Sequence, residues 1–163
     1  MAVDYFDYMK WKNPPVIKIY EAFGCLADGR IEIFDNEAKV YSSSRNKFYT
    51  ITYDEEKNAI MANDNGSYWQ GYLGYPSIAF LMKAGKIKIN LVFAEALKDI
   101  AWKDVNTEFK NDFAKTQDFV DELLVTRGIN LGQFHRHINE VLSGLQSLKL
   151  NMLGNKVKPP TGY

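Results

Sequence analysis

The chain begins with an apolar pattern of helical period. Pro14 and Pro15 suit the first turn of a helix and are unsuited to its interior. From residue 16 to residue 27, apolar side chains recur three or four positions apart, which is the spacing of one buried helical face. We predict a helix here, after a lead-in of residues 1–13 whose aromatic rings dock on the domain. Cys25 is expected to pack as a small hydrophobic residue beside this face.

Between residues 30 and 65 the pattern changes to alternation, which is typical of strands with one buried face. Turn-forming residues such as Asp35 and Asn36 separate four short runs, and the connections are short enough for antiparallel pairing. The sequence therefore predicts a four-stranded antiparallel β-meander, with strands at 31–34, 38–44, 48–53 and 59–62.

The last half of the chain returns to helical spacing. Short apolar stretches predict helices at 77–84 and 91–100, and a longer run with four-three spacing predicts a helix from 106 to 127. Gly128 ends that run, and Asn130 with Gln133 marks the start of a final helix. We predict an antiparallel helical hairpin over about 106–149. Its last seam would also favour a homodimer if the monomer leaves it open.

The fold class predicted is α+β, in one domain of residues 1–150 followed by a flexible tail of residues 151–163. A chain of 163 residues can bury a core without disulfides or metals. The tail is rich in glycine and proline, which favours fraying. Twenty basic and twenty acidic residues cancel, so the composition disfavours a dedicated nucleic-acid binder, although a local basic patch stays open.

Composition also bears on the compartment. A single cysteine cannot form an internal disulfide, and no charged-then-apolar leader begins the sequence. No apolar run approaches the roughly 18 residues of a membrane span. We expect a soluble cytoplasmic protein that does not bind membranes.

The segment 63–76, NDNGSYWQGYLGYP, has the most unusual composition, and we call it the aromatic loop. Its rings and amide side chains combine flat apolar area with hydrogen-bonding groups, as binding hot spots do, and basic residues of the neighbouring hairpin could add charge. The alternative is that the rings only cover the sheet. The candidate binding residues are Arg45, Lys47, Asn63, Asp64, Asn65, Tyr68, Trp69, Gln70, Tyr72 and Tyr75.

Familiar catalytic and metal motifs are missing from the sequence. Aligning a calcium-binding loop on Gly66 places Met61 and Tyr72 at ligand positions, and neither can serve. His135 and His137 point about 200° apart on a helix and cannot share one metal. Phosphate-loop glycine motifs are absent. We therefore assign no catalytic residue, no metal site and no cofactor.

The order of strands, aromatic loop and apolar helix over residues 39–83 resembles the SWIM-type zinc finger, a small module with DNA-related and protein-interaction roles. That family is defined by Cys-x-Cys followed by Cys-x-His. The corresponding positions here are Ala62, Asp64, Tyr75 and Ser77, none of which is Cys or His. The resemblance implies a module that has lost its metal and in which the aromatic loop replaces zinc.

Two functions follow as expectations. The first is a non-enzymatic recognition domain that binds a protein or small-molecule partner through the aromatic loop, with nucleic acid as a less supported partner. The alternative is an enzyme of unrecognised type with a pocket near Asp64 under the loop. Rings exposed in one patch would favour recognition, and rings lining a cleft with Asp64 would favour the enzyme.

Overall fold

One buried helix organises the protein, for which the computed structural model describes residues 9–161. This helix, α1 (Val16–Ala27), buries Ile17, Ile19, Tyr20 and Phe23 and contacts every later helix. It begins directly after Pro14 and Pro15, as predicted. The fold is α+β, and the helix predicted from the spacing of apolar residues is confirmed.

A β-sheet lies on the side of the core opposite α1. Strands β1 (Ile31–Phe34), β2 (Glu37–Tyr41), β3 (Phe48–Asp54) and β4 (Ala59–Ala62) pair antiparallel in chain order. The predicted four-stranded meander is thus confirmed, but β2 ends three residues early. Ser42 donates a side-chain hydrogen bond to Asn46 across the turn, and Arg45 adopts a left-handed φ of 61°. These local bonds end the strand.

The sheet has a fifth strand that the sequence did not predict. Strand β5 (Asn151–Met152) pairs parallel with β4, and the Asn151 N–H donates to the Asn58 carbonyl at 2.9 Å. Two residues carry no alternation, so no pattern could reveal this strand. It lies at the start of the expected flexible tail. Mobility of the tail stays a prediction, and residues 162–163 lie outside the described part of the chain.

The remaining elements are helices. They are α2 (Tyr75–Lys83), α3 (Leu91–Ala96), α4 (Trp102–Glu108), α5 (Phe113–Thr126) and α6 (Leu131–Leu148). Helix α2 contacts β1, β3 and β4 on one side and α1 on the other, so it lies between the sheet and α1. Gly85 and Gly128 follow α2 and α5 with positive φ, as expected at helix ends.

The prediction of one continuous helix from 106 to 127 is wrong, because the chain breaks between α4 and α5. Lys110 and Asn111 both have positive φ, and the Asn111 N–H donates back to the Asn106 carbonyl at 2.8 Å. Asp112 then caps α5 by accepting from the Lys115 N–H. The apolar spacing continues across the break, which is why the sequence pattern suggested a single helix.

Helices α5 and α6 form the predicted hairpin. The Asn130 side chain caps α6 by accepting from the Gln133 N–H at 3.0 Å. The seam of α6 is closed within the monomer by burial of Phe134, Ile138, Val141 and Leu145. Self-association through this seam was expected only if a single chain left it open, and these four side chains do not leave it open.

The lead-in is tied to the sheet at its last residues. Trp11 is buried, and its indole N–H donates to the Ile60 carbonyl at 2.8 Å. The docking predicted for the lead-in rings is confirmed for Trp11, whereas residues 1–8 lie outside the described part. Over residues 9–161, no helix combines the length and the apolar character needed to cross a membrane.

Candidate ligand-binding cavity

A cavity of about 850 Å³ opens where α1, the β2–β3 turn, the aromatic loop and α4 meet. Helix α1 supplies charged side chains at its floor, and the other segments supply serines, amides and aromatic rings. Its volume falls within the range typical of small-molecule sites. The lining residues are Lys18, Glu21, Arg30, Ser42, Ser43, Ser44, Asn46, Lys47, Tyr49, Asp64, Asn65, Gly66, Trp69, Gln70, Tyr72, Tyr75, Trp102, Lys103, Asn106, Thr107, Asn111 and Phe113.

The cavity contains a buried ion pair on α1. Lys18 Nζ lies 3.1 Å from Glu21 Oε2, one helical turn away, and Asn106 Nδ2 donates to the other Glu21 oxygen at 2.8 Å. Glu21 is only 2% exposed. Burial alone would lower the pKa of Lys18, but attraction to Glu21, Tyr72 and Asp64 outweighs it and raises that pKa. Lys18 therefore stays charged at neutral pH.

Arg30 is the second buried cation of the cavity, at 2% exposure. It precedes β1 after the Asp28–Gly29 turn. Its Nη1 donates to the Tyr41 carbonyl at 2.8 Å, and its Nε lies 3.4 Å from Asp28 Oδ2. The guanidinium carbon also lies 5.8 Å from the centre of the Tyr75 ring. The strand ends and the turn thus fix this side chain against the cavity wall.

Asp64 fixes the shape of the aromatic loop. Its Oδ1 accepts from the Ser67 hydroxyl at 2.6 Å, and its Oδ2 accepts from the Ser67 N–H at 3.2 Å. A Cβ at Gly74 would lie 1.8 Å from Asp64 Oδ2, so the loop closes around this carboxylate only because residue 74 is glycine. Burial raises the pKa of Asp64, and the hydrogen bonds from Ser67 oppose that shift.

The aromatic loop divides into an exposed part and a part that faces the cavity. Residues Gly66–Gln70 form a π-helical turn, which presents Trp69 at 64% exposure with its ring against Tyr68. Tyr72 and Tyr75, by contrast, are largely covered, and burial raises the pKa of both hydroxyls. The two outcomes set out for the loop are therefore both present: an exposed ring, and rings that share a cleft with Asp64.

The structure brings together most of the predicted binding residues. Lys47, Asp64, Asn65, Trp69, Gln70, Tyr72 and Tyr75 line the cavity. The other three make structural contacts instead: Arg45 Nη2 donates to the Asp28 carbonyl, Asn63 Oδ1 accepts from the Thr50 N–H, and Tyr68 packs edge-on against Trp69.

Sequence reasoning missed the half of the cavity that lies outside the loop, above all Lys18, Glu21 and Arg30. A signal for the first two existed. Helix α1 reads VIKIYEAFGCLA, and a lysine and a glutamate one turn apart are its only charged residues. Charged residues on an otherwise apolar, buried helix are expected to be paired or functional. Arg30 carried no such signal, since a basic residue after a turn is ordinary.

Helix α4 closes the cavity through Trp102. Its indole packs against Gly24 of α1, where a Cβ would lie 2.7 Å from the indole nitrogen. The indole N–H is buried and finds no hydrogen-bond acceptor in the described part of the chain. Gly24 therefore permits the close approach of α4 to α1 that forms this side of the site.

Other titratable groups take structural roles elsewhere. His135 Nε2 lies 2.9 Å from Asp121 Oδ2, whose other oxygen accepts from the Tyr20 hydroxyl. His137 Nε2 accepts from the Asn90 N–H at 3.0 Å. Within residues 9–161, no group of three or more His, Cys, Asp or Glu side chains is arranged to hold a metal ion.

Fold and cavity together define an α+β protein with a charged, ring-lined small-molecule-sized site. A family model described as uncharacterised conserved protein UCP014422 matches residues 11–151, so the chain belongs to that family. No curated protein and no solved structure gave a match. The family match includes the α1 charges, the aromatic loop and α4, and therefore every segment of the cavity. The SWIM-type resemblance of residues 39–83 stays a prediction.

Proposed function

We propose that the protein recognises a small molecule, which it binds in the cavity beneath the aromatic loop. The observation that carries this proposal is the combination of one 850 Å³ cavity with buried charges and aromatic rings in its lining. Small-molecule sites usually combine aromatic or apolar walls with fixed polar groups, and this lining is richer than usual in polar side chains. The aromatic loop keeps its proposed role in recognition, but as one wall of a concave site.

Buried charge in the lining supports a ligand more than a purely structural role. Glu21 and Arg30, both 2% exposed, and the partly buried Lys18 are expensive to remove from water, and an apolar core at this place would cost less. Such groups persist where they fix the orientation of a bound molecule. Trp69 at the rim offers a flat surface that a ligand entering the cavity can contact.

The geometry gives less support to a protein or nucleic-acid partner. Among the rings of the aromatic loop, Trp69 is the one that stays exposed as a large apolar surface, and a single ring is a small area for a stable protein interface. The lining is concave, which does not suit the flat stacking of successive bases. These partners become outcomes of the binding experiment below.

An enzyme acting through Asp64 is the second candidate, because Tyr72, Tyr75 and Asp64 share the cleft. A general base needs an oxygen that can reach the substrate. Both Asp64 oxygens already accept hydrogen bonds from Ser67, and one also packs against Gly74. This geometry favours a structural role for Asp64, and catalysis stays a separate proposal.

The test is a thermal-shift screen of the full chain against neutral, anionic and cationic metabolites, short nucleic acids and peptides, repeated with Trp69→Ala. We expect one or more compounds to raise the melting temperature, and Trp69→Ala to weaken that shift. The matched control is Val125→Ala, which removes an exposed apolar side chain of α5 outside the cavity. Hits that respond equally to both variants, or binding only to protein or nucleic acid, would contradict the proposal.

A further inference from the structure

We propose that the ligand is a small organic anion, and that its carboxylate or phosphate group binds the Arg30 guanidinium. This inference rests on the proposed function, to which it adds the charge of the ligand and the residue that selects it.

Arg30 has donors that the protein does not satisfy. A guanidinium carries five N–H donors in a planar fork. Nη1 donates to the Tyr41 carbonyl and Nε makes a long 3.4 Å contact with Asp28, while Nη2 has no acceptor in the described part of the chain. The side chain is 2% exposed and lines the cavity. The buried side-chain atoms that lack a partner among the described residues are Ser77 Oγ and Trp102 Nε1, so Nη2 is not one of these enclosed atoms. A carboxylate or phosphate fits the guanidinium fork with two oxygens.

The carboxylates of the cavity are already engaged. Glu21 accepts from Lys18 and from Asn106, and both oxygens of Asp64 accept from Ser67. A cationic ligand would therefore have to share oxygens that already accept a hydrogen bond. Lys18, in contrast, has three N–H donors and makes one hydrogen bond, to Glu21. Among the described residues, Lys18 and Arg30 therefore keep donors that an anion could use.

The charge balance points the same way. The lining contains four cationic side chains and two carboxylates, and Asp28 pairs with Arg30 from outside the lining. A formal surplus of one positive charge remains, although the whole chain has a net charge of zero. The cations are Lys18, Arg30, Lys47 and Lys103. Such a surplus inside a low-dielectric cleft attracts anions and raises their local concentration.

The rest of the lining describes the body of the ligand. Six aromatic side chains face the cavity, and flat apolar groups pack well against rings. Nine serine, threonine and amide side chains also line the cavity, so we expect a planar body that carries the anionic group and further hydrogen-bonding substituents. The aromatic lining residues are Tyr49, Trp69, Tyr72, Tyr75, Trp102 and Phe113.

The test measures binding of probes that share a body and differ in charge. Isothermal titration calorimetry of the full chain would use phenylacetate, phenylacetamide and phenethylamine for the carboxylate arm. Adenosine 5′-monophosphate and adenosine serve the phosphate arm. We expect the anion to bind about tenfold or more tightly than its neutral partner in at least one arm, since charge-assisted hydrogen bonds contribute that much. That arm then identifies the anionic group.

Variants assign the effect to the cavity. Arg30→Met keeps the apolar stem and removes the fork, and we expect it to abolish the preference for the anion. Lys103 is an exposed residue of the cavity lining, and we expect Lys103→Gln to weaken anion binding a few-fold. Lys86→Gln removes a partly exposed lysine that pairs with Glu55 away from this cavity, and it should leave anion binding unchanged. If Arg30→Met does not fold by circular dichroism, the comparison of Lys103→Gln with Lys86→Gln decides.

The outcomes separate this inference from the proposed function. Neutral or cationic probes that bind as tightly as the anions would overturn the inference and leave small-molecule recognition standing. Equal effects of Lys103→Gln and Lys86→Gln would also overturn it, since the attraction would then come from the general surface. Failure of every probe at every charge counts against both the inference and the proposed function.

Discussion

Asp64, which the sequence offered as a possible catalytic residue, makes structural contacts within the aromatic loop. Its neighbours Asn63, Asn65 and Gly66 suggested a turn or a ligand site. In the structure the carboxylate caps the π-helical turn through Ser67 and contacts the Cα side of Gly74. The loop that bounds the cavity is therefore built around a carboxylate whose two oxygens both accept hydrogen bonds from Ser67.

Gly74→Ala tests this role directly. The added Cβ would lie 1.8 Å from Asp64 Oδ2, and the carboxylate is held by two hydrogen bonds. We expect a loss of about 1–3 kcal/mol in the free energy of unfolding, as for other overpacked sites. Urea unfolding measures it.

The control for that substitution is Gly144→Ala in α6, where the nearest atom to the new Cβ is Ile87 Cδ1 at 3.3 Å. This methyl group ends a side chain that can move, and alanine favours a helix by up to about 1 kcal/mol. We expect little loss, or a gain. Equal losses at both positions would show that Asp64 does not fix the loop.

Cys25 supplies a second prediction at the residue scale. Burial in α1 raises the pKa of its thiol to about 12, and the side chain is fully covered. The thiol therefore stays protonated and unreactive in the native protein. We expect a disulfide reagent such as 5,5′-dithiobis(2-nitrobenzoate) to label Cys25 only as fast as the protein unfolds. Fast labelling of the folded chain at pH 8 would show that α1 is not buried as described.

At the scale of elements, the hairpin of α5 and α6 shows what apolar spacing determines. The seam of α6 is buried within one chain, so we expect Leu145→Asp to destabilise the monomer by about 3 kcal/mol or more without changing its mass in solution. Light scattering and urea unfolding measure the two quantities. Val125→Asp, at an exposed position of α5, is the control and should change stability little. A wild-type dimer that Leu145→Asp dissociates would contradict this account.

The elements with repeated patterns could be predicted from the sequence, and those without could not. Helix α1, the four-stranded meander and the hairpin each repeat an apolar spacing over several positions. The break at Lys110 and Asn111 could not be predicted, because it depends on two residues with left-handed backbone inside an apolar pattern that continues across them. Strand β5 is two residues long and is defined by its partner β4. Long-range pairing of this kind leaves no local periodicity.

The same distinction applies to the candidate site. The aromatic loop was recognisable from its composition, and it supplies one wall of the cavity. Arg30 was not recognisable as a cavity residue. Its burial comes from Asp28, Tyr41 and Tyr75, which contact it only after the strands assemble. A cavity between four segments is a tertiary property, so sequence alone could show single residues and not their convergence.

At the scale of the whole molecule, the two ends of the described chain meet at one edge of the sheet. The backbone N–H of Trp11 donates to the Leu150 carbonyl, and the backbone N–H of Met152 donates to the Met9 carbonyl. Leu150 is buried. We expect deletion of residues 149–163 to cost about 2–5 kcal/mol, the range for losing a large buried side chain. Deletion of 154–163 alone keeps β5 and should cost much less. Equal stability of both truncated forms in urea would show that β5 does not hold the sheet edge.

The central claim is that the cavity beneath the aromatic loop is the binding site. The most direct measurement is a ¹H–¹⁵N NMR titration of the full chain with adenosine 5′-monophosphate and phenylacetate. We predict saturable shifts of the Trp102 indole, the Arg30 Nε–H and the Ser43 amide, all of which belong to residues lining the cavity. The amides of Leu91 and Phe34, exposed elsewhere, should not move. No shifts with either probe, or shifts centred on Leu91 or Phe34, would contradict the account.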